Sequence, residues 1–175
     1  YQVESLARTH RWAQRCIDEV KRLRTQNPTQ PYQALFGVIQ GAQYQDLREE
    51  AAHFMGSLPF DGYGIGGALE KDQLGEIVRW VNRILPEDKP RHLLGISEPD
   101  DIFLAIEQGI DTFDCVSPTR VARNGAVYTF DGRINIKGAK YKTDLTPLLD
   151  ECACYTCTHY TTAYVAHLFR AKETL

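Results

Sequence analysis

Four short runs of apolar or glycine residues alternate with segments of helical periodicity over the first two thirds of the chain. The runs cover residues 34–39, 62–67, 92–96 and 111–116. Strands that alternate with helices are typical of βα units, whose strands form a parallel sheet. The sequence therefore predicts an α/β fold. Four such units are about half of a (β/α)8 barrel, and a small doubly wound sheet is the alternative.

The predicted helices follow from apolar residues spaced about 3.6 positions apart. Three of them cover residues 3–24, 44–55 and 72–85. A fourth opens at Glu98-Pro99-Asp100-Asp101, where a proline fits the first turn and the acids suit the positive end of the helix dipole.

A polar residue or a glycine stands where each predicted strand ends. These residues are Gln40, Gly67, Gly95 and Asp114. The carboxyl ends of parallel strands share one edge of a sheet, and α/β enzymes place their active sites there. We therefore expect the four residues to face one pocket.

Asp114 places a carboxylate in the apolar run Thr112-Phe113-Asp114-Cys115-Val116. A buried carboxylate is costly unless it is paired or used, so the position predicts a nucleophile or an acid/base group. The alternative is an Asp that caps a turn or pairs with Arg120. A nucleophilic Asp would form an ester-like intermediate with a sugar carbon and would need a second acid/base group.

The segment that follows Asp114 is basic although the whole chain has a net charge of −3. Between residues 120 and 142 there are six cations and one acid, Asp131. A local basic segment in a mildly acidic protein favours docking of a nucleic acid or a phosphate group. The alternative is a solvated surface whose acids come from elsewhere in the chain.

Three of the five cysteines, Cys152, Cys154 and Cys157, form a C-x-C-x-x-C motif. This spacing indicates a zinc site in a reducing compartment and not a disulfide framework. An iron–sulfur cluster is the minor alternative. The fourth ligand stays open: His159 is too close in sequence to Cys157, His167 is more plausible, and a residue beyond Leu175 is the third option.

Two regions are predicted along the chain. Residues 1–144 hold the βα units and a β-hairpin at about 126–137, and residues 145–175 form a zinc-binding subdomain with a helix over 159–172. Because no run of about 18 apolar residues and no secretory signal is present, we expect a cytoplasmic protein without a membrane partner. The chain does not begin with Met, so we expect a piece of a longer polypeptide.

The motifs resemble those of the queuine/tRNA-guanine transglycosylase family, in its bacterial form and over essentially all 175 residues. They occur in the family's order and are specific when taken together. They are Gln40-Gly41, Gly66-Gly67, Phe113-Asp114-Cys115-Val116, Pro118-Thr119-Arg120, Arg123-Asn124-Gly125 and the C-x-C-x-x-C, with support from Asp88-Lys89-Pro90 and Asp131-Gly132-Arg133.

The resemblance implies the central and C-terminal part of a (β/α)8 barrel with a zinc-binding insertion, one structural Zn2+ per chain and a homodimer. It implies a pentosyltransferase that exchanges guanine at the anticodon wobble position of tRNA for a 7-deazaguanine in queuosine biosynthesis. The favoured base is 7-aminomethyl-7-deazaguanine, and the intermediate is a covalent Asp–ribose ester. The alternative is a non-catalytic, zinc-containing tRNA-binding subunit of this family.

The resemblance also implies roles for individual residues. Asp114 matches the nucleophile, and Cys152, Cys154 and Cys157 match three zinc ligands. The residues that match the family's base-binding positions are Gln40, Gly66, Gly67 and Leu94. The residues that match its tRNA-contacting segments are Gly95, Ile96, Ser97, Glu98, Pro99, Asp100 and Asp101, and then Thr119, Arg120, Val121, Ala122 and Arg123.

Three departures from the family pattern qualify this resemblance. The family's general acid/base Asp and base-recognising Asp are expected before Tyr1, so the 175 residues alone are expected to be inactive. Its fourth zinc ligand is a His expected beyond Leu175. The loop after Gly66-Gly67 is short, and Glu70 and Asp72 are the candidates for the acid that reads the aminomethyl group.

Overall fold

The predicted parallel sheet lies in the first of two compact units. The computed structural model describes residues 1–67, 71–96 and 98–173, and its contacts divide the chain into Tyr1–Cys115 and Val116–Leu175. The four strands of the first unit pair in parallel and in chain order. They are β1 (Phe36–Ile39), β2 (Gly62–Ile65), β3 (Arg91–Leu94) and β4 (Thr112–Asp114).

Four helices accompany the sheet close to where the sequence predicts them. Helix α4 begins at Pro99 with Asp100 and Asp101 in its first turn, as expected. The predicted helix over 72–85 is a 3-10 turn at Lys71–Gln73 followed by a shorter α-helix. The helices are α1 (Gln2–Gln26), α2 (Gln45–Gly56), α3 (Leu74–Asn82) and α4 (Pro99–Glu107).

The strand order decides how the connecting helices lie. Crossovers between parallel strands are right-handed, so strands added one after another in the same direction place their helices on one face. Accordingly α2 packs between α1 and α3, and α3 packs on α4. A doubly wound sheet requires a reversal of strand order. The four described strands contain no reversal, so they do not support the doubly wound alternative.

The core of the first unit lies between the sheet and these helices. Ile39, Ile65 and Leu93 stand side by side in the strand register and are fully buried. Val78 and Met55 from the helices belong to the same cluster. Burial of each such side chain contributes about 1.5–3 kcal/mol, so this layer fixes the register of the sheet.

The opposite face of the sheet carries a different set of side chains. Val38 and Leu94 are 37% and 38% exposed although each adjoins a fully buried residue of the same strand. Successive side chains of a strand point to opposite faces, which explains the alternation. The face away from the helices therefore presents Val38, Leu94 and, at the end of β4, Asp114.

The second unit combines a hairpin with three helices. Its strands β5 and β6 pair antiparallel within the predicted range 126–137. Helix α5 was not predicted from the sequence. Pro118 lies in its first turn, and Gly125, with φ of +82°, follows its C-cap residue. The elements are α5 (Ser117–Arg123), β5 (Ala126–Thr129), β6 (Gly132–Asn135), a 3-10 turn (Ala139–Lys142), α6 (Tyr155–His159) and α7 (Thr162–Ala171).

The predicted single helix over 159–172 is wrong at its start. Helix α6 ends at His159, Tyr160 is extended, and Thr161 begins α7 by accepting a hydrogen bond from the backbone N–H of Tyr164. Threonine is a favoured N-cap residue, and the sequence pattern of apolar residues did not reveal it.

The predicted boundary after residue 144 falls inside the second unit. The backbone N–H of Thr162 donates to the carbonyl of Thr146, and α7 packs on the 3-10 turn before it. A separate zinc-binding subdomain over 145–175 stays a prediction.

Among the helices in the described ranges, none combines the length and the apolar composition that a membrane span requires.

Substitution of Leu93 and of Leu94 tests whether the two faces of the sheet differ in burial. Leu93→Ala should lower the free energy of unfolding by about 2–5 kcal/mol, because it opens a cavity in the core. In the 175-residue chain, Leu94→Ala should cost only about 1 kcal/mol, since this side chain lies on the exposed face. Urea denaturation of both variants measures the difference, and equal losses would contradict the assignment of faces.

Candidate active site and metal centre

The carboxylate of Asp114 lies at the carboxyl end of β4 and is held by two donors from β3 and the turn after it. Its Oδ1 is 3.0 Å from Nε2 of His92 and 3.3 Å from the backbone nitrogen of Gly95. The side chain is 61% exposed. Within the described residues the carboxylate is therefore not buried, because Asp114 points to the face of the sheet that the helices do not cover.

His92 is a member of this site that the sequence analysis missed. It lies one pleat before Leu94, so its ring is on the same face as Asp114. Its Nδ1 is 2.8 Å from Oγ1 of Thr112, its register partner on β4. The sequence pattern that could have revealed this site is a histidine two residues before the end of β3 and a threonine two residues before the end of β4. It indicates a contact only if the two strands are assumed to pair in register.

These contacts favour the ionised form of Asp114. The hydrogen bond from His92, and after it the one from Gly95, holds the pKa of Asp114 below its usual value. The carboxylate thus stays charged over a wider range of pH than an isolated aspartate. A charged, exposed and oriented carboxylate has the properties of a nucleophile.

Gln40 and Gly67 meet at the ends of β1 and β2, on the same edge of the sheet. A Cβ on Gly67 would lie 2.7 Å from Oε1 of Gln40, and the φ of Gly67 is +88°. A Cβ on Gly66 would lie 2.8 Å from the side chain of Leu94. The absence of a side chain at either glycine therefore makes room for the side chains of Gln40 and Leu94.

Arg48 is the second residue that the sequence analysis missed. It extends from α2, is fully buried, and donates to the carbonyl oxygens of Ile39, Ala42 and Gly66 at 3.2, 2.7 and 2.7 Å. Burial lowers the pKa of its guanidinium to about 10. One side chain thus fixes the segments that lead from β1 and from β2 toward Gln40 and Gly67.

The segment after β3 carries the first group of residues expected to contact RNA. Gly95 has φ of +76° and donates to Asp114, Glu98 occupies the N-cap position of α4, and Asp100 is exposed on the first turn of that helix. Asp101 is buried, at 9% exposure, so its side chain is not on the surface of this segment. The remaining members are Ile96, which is half-buried, Pro99, which is exposed, and Ser97, which lies outside the described residues.

The second group lies in the second unit, on helix α5. Arg120 and Arg123 are exposed and form no ion pair within the described ranges. Arg120 and Arg133 of the hairpin line a cavity of about 490 Å3. The rest of the group is Thr119 and Ala122, which are exposed, and Val121, which is half-buried.

Of the two residues predicted to recognise the aminomethyl group, the structure describes Asp72. Asp72 is exposed in the 3-10 turn before α3. Glu70 lies outside the described residues.

The three cysteines of the C-x-C-x-x-C motif come together at the start of α6. The sulfur atoms of Cys152, Cys154 and Cys157 all lie within 4.8 Å of one another. The pKa of Cys154 is lowered, chiefly by a hydrogen bond from the backbone of Cys157. Ligands at the Zn–S distance of about 2.3 Å lie about 3.8 Å apart in a tetrahedron, so one ion fits this cluster with small adjustments.

His159 does not join the cysteine cluster. Its Nδ1 is 2.9 Å from the carbonyl oxygen of Tyr155 and 2.8 Å from Oγ1 of Thr158, and its ring stacks on Tyr155. Within the residues that the structure describes, the metal-binding group consists of the three cysteines.

Comparison with known proteins places the chain in a family. The family model described as queuine tRNA-ribosyltransferase matches residues 1–175. Relatives named queuine tRNA-ribosyltransferase from Bacillus subtilis (strain 168), Staphylococcus epidermidis (strain ATCC 35984) and Geobacillus thermodenitrificans are 45%, 46% and 44% identical over 99% of this chain. The chain belongs to the queuine tRNA-ribosyltransferase family. It spans about 45% of the length of these relatives.

Removal of the His92 ring should change the ionisation of Asp114. In His92→Phe the pKa of Asp114 should rise toward its ordinary value, because the main hydrogen bond to the carboxylate is lost. A 13C NMR titration of the carboxyl carbon measures the change. Asp144, whose carboxylate is held by Thr146 in the second unit, is the internal control. An unchanged pKa of Asp114 would contradict the assignment.

Proposed function

We propose that this chain carries the nucleophile, the base-binding edge and the zinc site of a tRNA-guanine transglycosylase. The observation that supports this most is the exposed carboxylate of Asp114, oriented by His92 and Gly95. It stands on the same sheet edge as Gln40 and Gly67. Membership of the queuine tRNA-ribosyltransferase family supplies the reaction class.

The reaction proceeds in two displacements at the ribose of the wobble nucleotide. An oxygen of Asp114 bonds to C1′ while the bond from C1′ to N9 of guanine breaks, and the electron pair leaves with the base. A general acid protonates that nitrogen. A 7-deazaguanine, deprotonated at the corresponding nitrogen, then attacks C1′ and releases the carboxylate. The oxocarbenium character of both transition states is stabilised by the negative charge of Asp114.

The base binds at the ends of β1 and β2. Gln40 offers an amide that donates and accepts, and Gly67 beside it is exposed at the end of β2. Arg48 holds the segments after β1 and β2 in place through its hydrogen bonds to their backbone carbonyl groups. This set recognises the edge of a guanine or a 7-deazaguanine, and 7-aminomethyl-7-deazaguanine is the base we favour.

The tRNA contacts the segment after β3 and helix α5. Arg120 and Arg123 of α5, together with Arg133, are exposed and offer cations to phosphate groups. Such contacts give most of the affinity for a nucleic acid and position it without reading its sequence.

The sheet of the first unit is part of a (β/α)8 barrel whose inside is the face that bears Leu94 and Asp114. The chain-order pairing of the strands and the helices on one face support this. Parallel sheets are normally covered on both faces, and a closed barrel covers the second one. The homodimer implied by the family resemblance is part of the same proposal.

Asp114→Ala should abolish base exchange, by about 10,000-fold or more in kcat, since the covalent step loses its nucleophile. Asp114→Asn should bind tRNA and form no adduct. The measurements are incorporation of labelled guanine into tRNA by the full-length protein and a protein–tRNA adduct that survives denaturing electrophoresis. Asp46→Asn, on the first turn of α2, is the control that keeps both activities.

Adduct formation that survives Asp114→Ala would exclude this nucleophile. The same exchange assay on the full-length wild-type protein separates the enzyme from a tRNA-binding subunit of the family. We expect no turnover from the 175-residue chain alone. Failure of the full-length wild-type protein to exchange any base, with tRNA binding intact, would favour the binding subunit.

We further propose that the metal held by Cys152, Cys154 and Cys157 is one structural zinc ion per chain. Three thiolates within 4.8 Å of one another repel each other, and a divalent ion removes that repulsion. The ion would join the loop before α6 to its first turn. The chemistry it supplies is cross-linking of the chain and not catalysis.

Cys154→Ser should release zinc and lower the thermal stability of the protein, because a site of this type contributes folding free energy. Atomic emission measures the metal content, and a chelator titration compares the affinities. Cys16→Ser, at an exposed position of α1, is the matched control and should keep one zinc per chain. Equal zinc content in both variants would contradict the proposed ligand set.

A further inference from the structure

We propose that His92, whose ring is oriented by Thr112, holds Oδ1 of Asp114 so that the other carboxylate oxygen, Oδ2, is the atom that attacks ribose. This inference rests on the proposed function and adds a positioning residue to it. His92 and Thr112 lie outside the motifs that carry the family resemblance.

The three side chains lie on two neighbouring strands and form one chain of hydrogen bonds. His92 of β3 is the register partner of Thr112 of β4, and Leu94 is the partner of Asp114. The imidazole therefore stands beside Thr112 and reaches along the strands to the next residue on its face. Nδ1 meets Oγ1 of Thr112 at 2.8 Å, and Nε2 meets Oδ1 of Asp114 at 3.0 Å.

The charge of Asp114 determines which tautomer of the His92 ring can form this hydrogen bond. An ionised Asp only accepts hydrogen bonds, so Nε2 must carry a hydrogen. In the neutral ring Nδ1 is then an acceptor, and the hydroxyl of Thr112 donates to it. The opposite tautomer would turn two acceptors toward each other at 3.0 Å. Thr112 thus stabilises the tautomer in which His92 can hold Asp114.

Both donors converge on one oxygen of Asp114. The backbone N–H of Gly95 also donates to Oδ1, at 3.3 Å, and the carbonyl of Gly95 accepts from the thiol of Cys115 at 3.3 Å. No donor to Oδ2 is found in the described part of the chain. Rotation of the carboxylate would break both hydrogen bonds, so the unbonded oxygen keeps its lone pairs and a fixed direction.

A fixed Oδ2 contributes to the covalent step through orientation. The bond from Oδ2 to C1′ forms as the bond from C1′ to N9 breaks, the electron pair leaves on N9, and a general acid supplies the proton. Holding the attacking atom in line lowers the entropic cost of reaching the transition state. His92 makes no bond to substrate in this step, so its effect should fall on kcat and not on KM.

Three substitutions of His92 in the full-length protein separate orientation from packing. In His92→Gln the amide nitrogen takes the place of Nε2 and still donates to Asp114. In His92→Asn the amide nitrogen takes the place of Nδ1 and falls short of the carboxylate, and His92→Phe keeps the ring without a donor. We expect kcat to fall about 10- to 100-fold in the Asn and Phe variants, the usual effect of losing a hydrogen bond to a charged group.

The glutamine variant is the decisive comparison. Its kcat should fall by less than about fivefold, and KM for tRNA and for the base should change by less than about threefold in all three variants. Thr112→Val should lower kcat about fivefold and Thr112→Ser should restore it, because one neutral hydrogen bond is lost and regained. The 15N shifts of the His92 ring should show a protonated Nε2 in the wild type.

The inference is overturned if the Gln variant is as slow as the Phe variant, or if the substitutions change KM alone. It is also overturned if the ring carries its hydrogen on Nδ1 in the neutral form. These outcomes differ from a failure of the proposed function, which would appear as base exchange that survives Asp114→Ala. Loss of exchange in Asp114→Ala with full activity in His92→Phe would keep the proposed function and reject the role of His92.

Discussion

The parallel register of the sheet is the constraint on which the candidate site depends. Because side chains alternate along each strand, the register that buries Ile65 beside Leu93 also brings His92 beside Thr112 and Leu94 beside Asp114. A slip by one residue would turn the carboxylate toward the hydrophobic layer between the sheet and the helices, where burial of a charge is costly. The hydrophobic layer on one face of the sheet thus fixes the positions of His92, Thr112 and Asp114 on the other face.

The base-binding edge depends on a buried charge in a similar way. Arg48 has no carboxylate partner among its hydrogen bonds, which go to three backbone carbonyl groups at the ends of β1 and β2. Such a cation is stable in the interior only while those carbonyl groups keep their positions. The segments that carry Gln40 and Gly67 are therefore fixed by the same interactions that solvate the guanidinium.

Periodicity predicted the parallel sheet and its four strands, at whose ends Gln40, Gly67, Gly95 and Asp114 lie. The cysteine spacing predicted a cluster that can hold a metal ion. The sequence did not reveal Arg48, because its role depends on three carbonyl groups and not on a side-chain motif. It did not reveal His92 either, because the contact with Asp114 requires the register between two strands. Helices α5 and α6 were missed since both are too short for periodicity to show.

Strand β4 has only three residues, and within the described part of the sheet its sole neighbour is β3. Backbone pairing alone gives such a strand little cohesion. The two side-chain bridges from His92, to Thr112 and to Asp114, join β4 to β3 at successive positions on the same face. The side chain of His92, which orients the nucleophile, therefore also holds β4 against β3. A change that separates β4 from β3 will displace Asp114 before the core of the sheet begins to unfold.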